Sequence, residues 1–175
     1  MNKYMTGLWG ILTGGLLLLA TGGCGGYHIG FIKHPQLNSI AVAPAVNETA
    51  IYNAASDARM MMCEVVMQDG TFELSDQHNA DAILYRVVKE VAFASVSDAS
   101  IENDNQYKPS EWRTKVTVDY KLVIPGQGEP LRAGTVSGDA RFQAPLDVEG
   151  SRLRAVRQAC YEASRQIIYN IAEGW

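Results

Sequence analysis

The residues of this chain that could perform chemistry are few, and they do not form a catalytic set. Its only histidines are His28, His34 and His78. The first two lie in a stretch with little periodicity, where no scaffold would hold them in a catalytic geometry. His78 lies near Asp76 and Asp81, but no second His or Cys stands at a metal-ligand spacing. We therefore expect a solvated loop histidine at position 78, no metal or cofactor, and no enzymatic activity.

Cys24 is the one nucleophile whose surroundings predict a reaction. Lys3 is the only charged residue among the first 32, and the stretch from Leu8 to Ala20 is almost wholly apolar. A short positive region, an apolar run and then small residues are typical of an export signal. The run is too short for a membrane span, which needs about 20 apolar residues. The sequence therefore predicts export with processing.

The small residues before Cys24 predict a bacterial lipoprotein, in which the thiol is lipidated and cleavage then exposes this cysteine as the first residue. Thr21 stands where a Leu-like residue is usual, and a plain signal peptide cut near Gly23 is the alternative. Acyl chains such as palmitate would anchor the mature chain stably. Because Gly25 rather than Asp follows Cys24, the enteric sorting rule favours the outer membrane, with the domain facing the periplasm.

The predicted organisation has three parts. Residues 1–23 form a signal peptide that is removed, residues 24–38 form a lipidated tether, and residues 39–175 form a single domain. The composition, 47% hydrophobic and 19% charged, suits a globular domain with a real core. A formal net charge of -4 provides no broad basic field, so we expect no nucleic-acid partner.

Periodicity predicts two helices, Ala54–Asp69, which is followed by Gly70, and Ser151–Ala172. Strands are predicted over Ser39–Val46, Thr71–Ser75, Ala82–Val96, Arg113–Ile124 and Gly134–Ala144. Strict alternation in the longer strands indicates a sheet with one covered face. We therefore expect an α+β fold, a two-layer sandwich with two helices packed on one face of a mixed four- to five-stranded sheet.

The first predicted helix carries a sulfur stripe, Met60, Cys63 and Met67, at the spacing i, i+3, i+7. The stripe lies nearly opposite the core-facing side of the helix. Single apolar residues on a surface, or a covering loop, would explain it. Alternatively, it is a partner-binding surface, since adaptable methionine suits interfaces. The helical spacing also places Cys160 on a core stripe and Cys63 off one, so we expect no disulfide between them.

Several short motifs, taken in order, resemble the lipopolysaccharide-assembly lipoproteins of the LptE family. The stretch "CGGYHIG" (24–30) is similar to the Cys-Gly-Tyr-His opening of the mature family members, with one extra glycine. The stretches "SIAVAPAVNET" (39–49), "DGTFEL" (69–74) at a helix end, and "NADAILYRVV" (79–88) follow in the family's order. Each motif is short, and the resemblance rests on their order along most of the mature chain.

The resemblance implies a fold of two helices on a mixed sheet. It also implies a partner, the large outer-membrane β-barrel LptD, inside which the lipoprotein would sit as a plug. The implied function is non-enzymatic assistance in transporting and assembling lipopolysaccharide at the Gram-negative outer membrane. Family members also bind lipopolysaccharide, whose phosphates would be contacted by Lys or Arg.

Candidate lipopolysaccharide-binding residues at strand or hairpin positions are Lys89, Arg113, Lys115, Lys121 and Arg132. The alternative for all five is a solvated cation that discourages strand aggregation. Two other functions also stay open. One is a generic periplasm-facing lipoprotein that binds another envelope protein or the cell wall, and the other is a hydrolase whose site is not evident in the sequence.

Overall fold

A computed structural model describes residues 37–96, 111–143 and 147–173. The predicted signal peptide, Cys24 and nearly all of the predicted tether lie outside the described residues, as does the predicted loop over 97–110. The described helices include none that is long and apolar enough to cross a membrane.

Six strands and two helices make up the described domain. In chain order they are β1 Ser39–Val42, β2 Val46–Asn47, α1 Ala54–Asp69, β3 Glu73–Ser75, β4 Ala82–Ser95, β5 Trp112–Val123, β6 Arg132–Phe142 and α2 Val148–Ala172. The two helices pack together, and α2 also packs over β5 and β6. The predicted α+β sandwich of two helices on a mixed sheet is confirmed.

Local sequence explains where the two helices begin and end. Helix α1 has the predicted bounds and ends at Gly70, which adopts a left-handed φ of 69° and donates its N–H to the carbonyl oxygen of Val66. Helix α2 begins three residues before the predicted start. The Asp147 side chain accepts the Gly150 N–H at 2.8 Å, which satisfies a donor that the first turn would otherwise leave unpaired.

The sheet is mixed and open, with the strand order β3-β1-β4-β5-β6, and β2 also pairs with β4. Strands β1 and β3, β1 and β4, and β2 and β4 pair in parallel, whereas β4, β5 and β6 form an antiparallel meander. The sheet has six strands rather than four or five because residues 43–45 interrupt the predicted first strand. Pro44 lies in that interruption and has no N–H to donate to a ladder.

A register shift in β4 interrupts the simple alternation of this strand. Alternation along this strand predicts that Tyr85, Val91 and Phe93 share a side. The pairing with β5 shifts between Val88 and Glu90, so the side chains after the bulge change faces. Tyr85 is 38% exposed, whereas Val91 and Phe93 pack against the core on the helix side.

The core lies between the helices and one face of the sheet. Its fully buried members include Ile40, Met62, Val66, Leu84, Val88, Val116, Val156, Leu122, Ile167 and Ile171. Helix α2 approaches β6 most closely at Gly138, where an added Cβ would lie 2.1 Å from the Ala159 carbonyl oxygen. Leu153, which helical spacing places on the same side of α2 as Val156 and Cys160, is 39% exposed.

Candidate functional site

The sheet face opposite the helices, called the open face below, mixes cations, anions and hydroxyl groups. Across β5 and β6, Lys115 lies directly opposite Asp139, and Asp119 lies opposite Thr135. The Thr135 hydroxyl donates to Asp119 at 2.6 Å. The open face therefore offers hydrogen-bonding groups of both signs rather than a uniformly charged field.

At one end of the open face, Arg113 binds Asp139 through two contacts. Its Nε donates to Oδ2 at 3.1 Å, and its Nη2 lies 2.9 Å from Oδ1. This hydrogen bonding raises the pKa of Arg113 and lowers the pKa of Asp139, to which the charge of neighbouring Lys115 also contributes. Arg141 lies directly opposite Arg113 on β6. Arg141 also lies 3.7 Å from Glu111. The structure thus gathers three cations and two carboxylates at this end of β5.

Lys121 lies toward the other end of β5, where its ammonium group stands 5.4 Å from the centre of the Tyr85 ring. This distance is within the range of a cation–π contact. Lys121 and Arg113 are eight positions apart on this strand, which corresponds to about 27 Å along an antiparallel strand. These two cations therefore cannot contact the same phosphate group.

The remaining two candidate cations each bind a group outside the Arg113 end of the open face. Lys89, at the bulge of β4, forms an ion pair with Glu48, whose hydrogen bond raises the pKa of the lysine. Arg132 lies opposite Leu122, a core residue, and its Nε donates to the Asn170 carbonyl oxygen near the end of α2 at 3.3 Å. The structure brings Arg113 and Lys115 together and leaves the other three candidates dispersed.

The sulfur stripe lies at the surface of α1. Met60 is 47% and Met67 is 65% exposed, and Cys63 is half-buried against the core. Cys63 and Cys160 are both free thiols. Burial raises the pKa of Cys160 to about 12, and the negative charge of Asp57 adds to this effect.

Sequence reasoning missed Arg86, which is only 2% exposed beneath α1. Its Nη1 donates to the Ala58 carbonyl oxygen at 2.7 Å and its Nη2 to the Ala43 carbonyl oxygen at 3.0 Å. Arg86 therefore links α1 to the end of β1, although burial lowers its pKa to about 10. The signal that could have revealed it is its place between Leu84 and Val88, both on the buried side of β4.

Within the described residues, two of the motifs that carry the family resemblance make hydrogen bonds between neighbouring elements. Asp81 accepts hydrogen bonds from the backbone N–H groups of Asn38 and Ser39, both at 2.9 Å, and so ties the start of β4 to the start of β1. The Asn47 side chain accepts from the Thr49 N–H at 3.0 Å and donates to the Ile51 carbonyl oxygen at 2.8 Å. These residues therefore link neighbouring elements of the fold.

His78 lies in a turn that Asp76 organises. The Asp76 carboxylate accepts the backbone N–H groups of His78 and Asn79, and these hydrogen bonds lower the pKa of Asp76. Among the residues that the structure describes, no three or more His, Cys, Asp or Glu side chains are grouped so that they could hold a metal ion.

A groove of about 810 Å³, called the interhelix groove below, lies between the C-terminal parts of α1 and α2. Val65, Ile168 and Ala172 are its buried apolar members. The Tyr161 hydroxyl spans the helices by donating to the Gln68 side-chain oxygen at 2.7 Å. The lining also includes three charged residues, Asp69, Glu162 and Arg165, and the exposed Tyr169.

Comparison with known proteins identifies the fold and goes no further. No family model and no curated protein matches the chain. A structure of the DUF330 family from Xanthomonas campestris has a TM-score of 0.53 and 11% identity, and the match covers 81% of this chain and 91% of that chain. A hypothetical protein from Chlamydia trachomatis has a TM-score of 0.54 and 8% identity, covering 78% and 96%.

A candidate lipoprotein from Caulobacter crescentus has a TM-score of 0.50 and 16% identity, and the match covers 75% of this chain and 87% of that chain. At such identities the likeness shows a shared fold. This fold therefore occurs in a protein described as a bacterial lipoprotein.

Proposed function

We propose that this chain is a non-enzymatic outer-membrane lipoprotein that assists lipopolysaccharide transport as plug and partner of an LptD-like β-barrel. It would be anchored through Cys24 and face the periplasm. The observation that carries the proposal is the order of the motifs between positions 24 and 88, which resembles that of the LptE family. The mixed sheet with two helices on one face is the fold that this resemblance implies.

The hydrogen bonds of the motif residues support this proposal. A plug that contacts its barrel on several sides needs a scaffold that stays rigid during assembly. Asp81 ties β4 to β1, and the Asn47 turn leads from β2 into α1. These motif residues therefore hold in place the strands and the helix that the barrel would surround.

Exposed groups on both layers of the sandwich also fit a domain that is surrounded by its partner. The sulfur stripe presents two exposed methionines on α1, and the open face presents Tyr85 together with paired charges on β5 and β6. Methionine and tyrosine are suited to interfaces, because both provide a large contact area and methionine adapts its shape. Met60, Cys63 and Met67 are the residues that we assign to partner binding.

For lipopolysaccharide, the end of the open face that carries Arg113, Lys115 and Arg141 is the best candidate. Its cations are exposed, and guanidinium groups bind phosphate through paired hydrogen bonds. Lys121 would be a separate contact. Lys89 and Arg132 are weaker candidates, since each stands apart from this group of cations: Lys89 pairs with Glu48 and Arg132 binds the end of α2.

Co-purification tests the proposal. The full-length chain with a C-terminal tag is produced in a Gram-negative envelope and extracted in mild detergent. We expect a large outer-membrane β-barrel to elute with it in equal amount, and a Cys24→Ala variant to leave the membrane fraction. The double variant Met60→Glu, Met67→Glu should recover less barrel, because it places charge in an apolar contact.

The matched control is Val148→Glu, which changes another exposed apolar residue, 55% exposed, on α2. It should leave barrel recovery unchanged. Persistent isolation of the lipidated chain as a free monomer would contradict the proposal. It would favour the alternative of an envelope lipoprotein that binds another protein or the cell wall.

A further inference from the structure

The interhelix groove has the size and floor of a binding cleft. Its volume of about 810 Å³ lies within the range of about 300–1,000 Å³ that is typical of ligand clefts. Buried aliphatic groups of Val65, Ile168 and Ala172 face it, and Tyr161 and Tyr169 stand at its polar margin. An occupant would therefore contact both apolar and aromatic surface.

The end of α1 makes one side of the groove electronegative. Helices α1 and α2 line it with their C-terminal parts, and neither carries a basic residue in its last turn. A helix C-terminus behaves as about half a negative charge and attracts cations. At the end of α2, Arg132 reaches the Asn170 carbonyl oxygen from the sheet. At the end of α1 the last helical residue is itself an acid, Asp69.

An acid at the end of a helix is unfavourable for the isolated domain, because its charge repels the helix dipole. The Asp69 carboxylate accepts the Thr71 N–H at 3.2 Å, which is a neutral donor. Glu162 adds a second carboxylate to the lining, and Arg165 pairs with it at 3.6 Å. The carboxylate of Glu173 hydrogen-bonds Tyr169 and raises the pKa of this margin tyrosine. Arg165 offsets Glu162 and Arg132 offsets the end of α2, so the unbalanced negative charge of the groove lies at Asp69 and the end of α1.

We propose that the interhelix groove is the docking site for a basic segment of a protein partner, a short stretch with arginine or lysine between aliphatic residues. The cation lies against Asp69 and the end of α1, and the aliphatic side chains cover Val65 and Ile168. This assignment deepens the proposed function, on which it rests for the existence of a protein partner, by naming the chemistry of one partner segment.

Charge separates this occupant from the others that an apolar groove attracts. A second copy of the chain would bring a second negative surface to a negative groove. An anionic lipid would bring its phosphate toward Asp69 and Glu162. In a basic segment, the aliphatic groups would contact the apolar floor of the groove and the cation would contact Asp69 at its margin.

The test uses the full-length lipidated chain in detergent and no barrel, so that its failure is distinguishable from failure of the proposed function. The probe is a fluorescently labelled, capped peptide of alternating leucine and arginine. Its matched partner carries citrulline in place of arginine, which keeps the shape and removes the charge. We expect the arginine peptide to bind about tenfold more tightly, since hydrogen bonds to charged groups are the stronger kind, and to release with added salt.

Two variants place the binding in the groove. Asp69→Asn with Glu162→Gln removes its carboxylates and should weaken arginine-peptide binding to the level of the citrulline peptide. Gln166→Trp puts a large ring on an exposed lining position and should abolish binding of both peptides. The control double variant, Glu90→Gln with Asp119→Asn on the open face, should bind as the unchanged chain does.

Equal binding of the two peptides, or full binding by Gln166→Trp, would overturn the proposal. So would a dimer that sedimentation detects in the unchanged chain and that Gln166→Trp converts to monomer, because the occupant would then be a second copy. Co-purified lipid that mass spectrometry finds in the unchanged chain and not in Gln166→Trp would likewise assign the groove to lipid.

Discussion

Arg86 is a charged residue at a position of β4 where alternation requires an inward-facing side chain. It is 2% exposed, and two of its nitrogen atoms donate to the carbonyl oxygens of Ala58 and Ala43. A buried charge is tolerated only where hydrogen bonds replace the lost water. The chain uses it to join a helix to the end of a strand, which an aliphatic residue of the same length would not do.

Asp81 is a second residue whose carboxylate holds the fold, and its removal is a direct test. We expect Asp81→Ala to lower the free energy of unfolding by about 2 kcal/mol, because it leaves the N–H groups of Asn38 and Ser39 without their acceptor. Urea unfolding followed by circular dichroism measures this change. Asp119→Asn, which keeps an acceptor for Thr135 on the open face, is the control, and an equal loss in both variants would contradict the assignment.

The two thiols of the domain should differ in reactivity. Burial holds the pKa of Cys160 at about 12, well above its ordinary value of 9.0, so this thiol stays protonated at pH 8. Cys63 is half-buried. We expect a maleimide at pH 8 to label Cys63 in the folded chain and Cys160 only after unfolding, as read by intact mass. Comparable labelling rates at the two positions would show that Cys160 is accessible.

The same pKa difference predicts a pH dependence of stability. Between pH 9 and 12 the unfolded chain loses the Cys160 proton while the folded chain keeps it. Stability therefore falls as pH rises through this window. Cys160→Ala should make that decline shallower.

At the scale of the elements, the contact between α2 and β6 depends on the absence of a side chain. An added Cβ at Gly138 would lie 2.1 Å from the Ala159 carbonyl oxygen and 2.4 Å from the Ala163 nitrogen. Both atoms belong to the helix backbone, so no side-chain rotation relieves the overlap. The helix would have to move away from the sheet.

We expect Gly138→Ala to lower the free energy of unfolding by about 3 kcal/mol, in the upper part of the range for overpacked cores. Gly128→Ala is the matched control, since nothing lies within 4 Å of its added Cβ and its φ is not in the left-handed region. It should be nearly neutral. Similar stability of the two variants in urea would mean that α2 and β6 are less tightly packed than the structure has them.

At the scale of the whole molecule, the cations that sequence reasoning groups together are divided between different surfaces. Arg113 and Lys115 share one end of the open face, whereas Arg132 lies on the helix side beside the end of α2. A phosphate-bearing lipid that binds the open face would therefore contact Arg113 and Lys115 but not Arg132. This division makes the lipid-binding proposal testable within a single chain.

We expect Arg113→Gln with Lys115→Gln to weaken lipopolysaccharide binding about tenfold, because charge-assisted contacts to phosphate are lost. Arg132→Gln should leave that binding unchanged. Displacement of a fluorescent lipopolysaccharide from the detergent-solubilised chain measures both. Equal weakening in the two variants would show that binding follows net charge rather than this surface.

The sequence by itself determined the local elements. Gly70 ends α1 at the predicted residue because glycine readily adopts the left-handed conformation of a helix end. The alternation in β5 placed Val116, Val118, Tyr120 and Leu122 on the buried side, as the structure does. These features depend on spacing along the chain, which a sequence contains in full.

The tertiary structure alone decided how those elements meet. The bulge after Val88, the burial of Arg86 and the separation of Arg132 from Arg113 all depend on strand register, which residues far apart in the chain set jointly. The interhelix groove exists because α1 and α2 bring their C-terminal parts to one place. The periodicity of the sequence indicates which side of an element is apolar. Which neighbouring element covers that side depends on long-range packing.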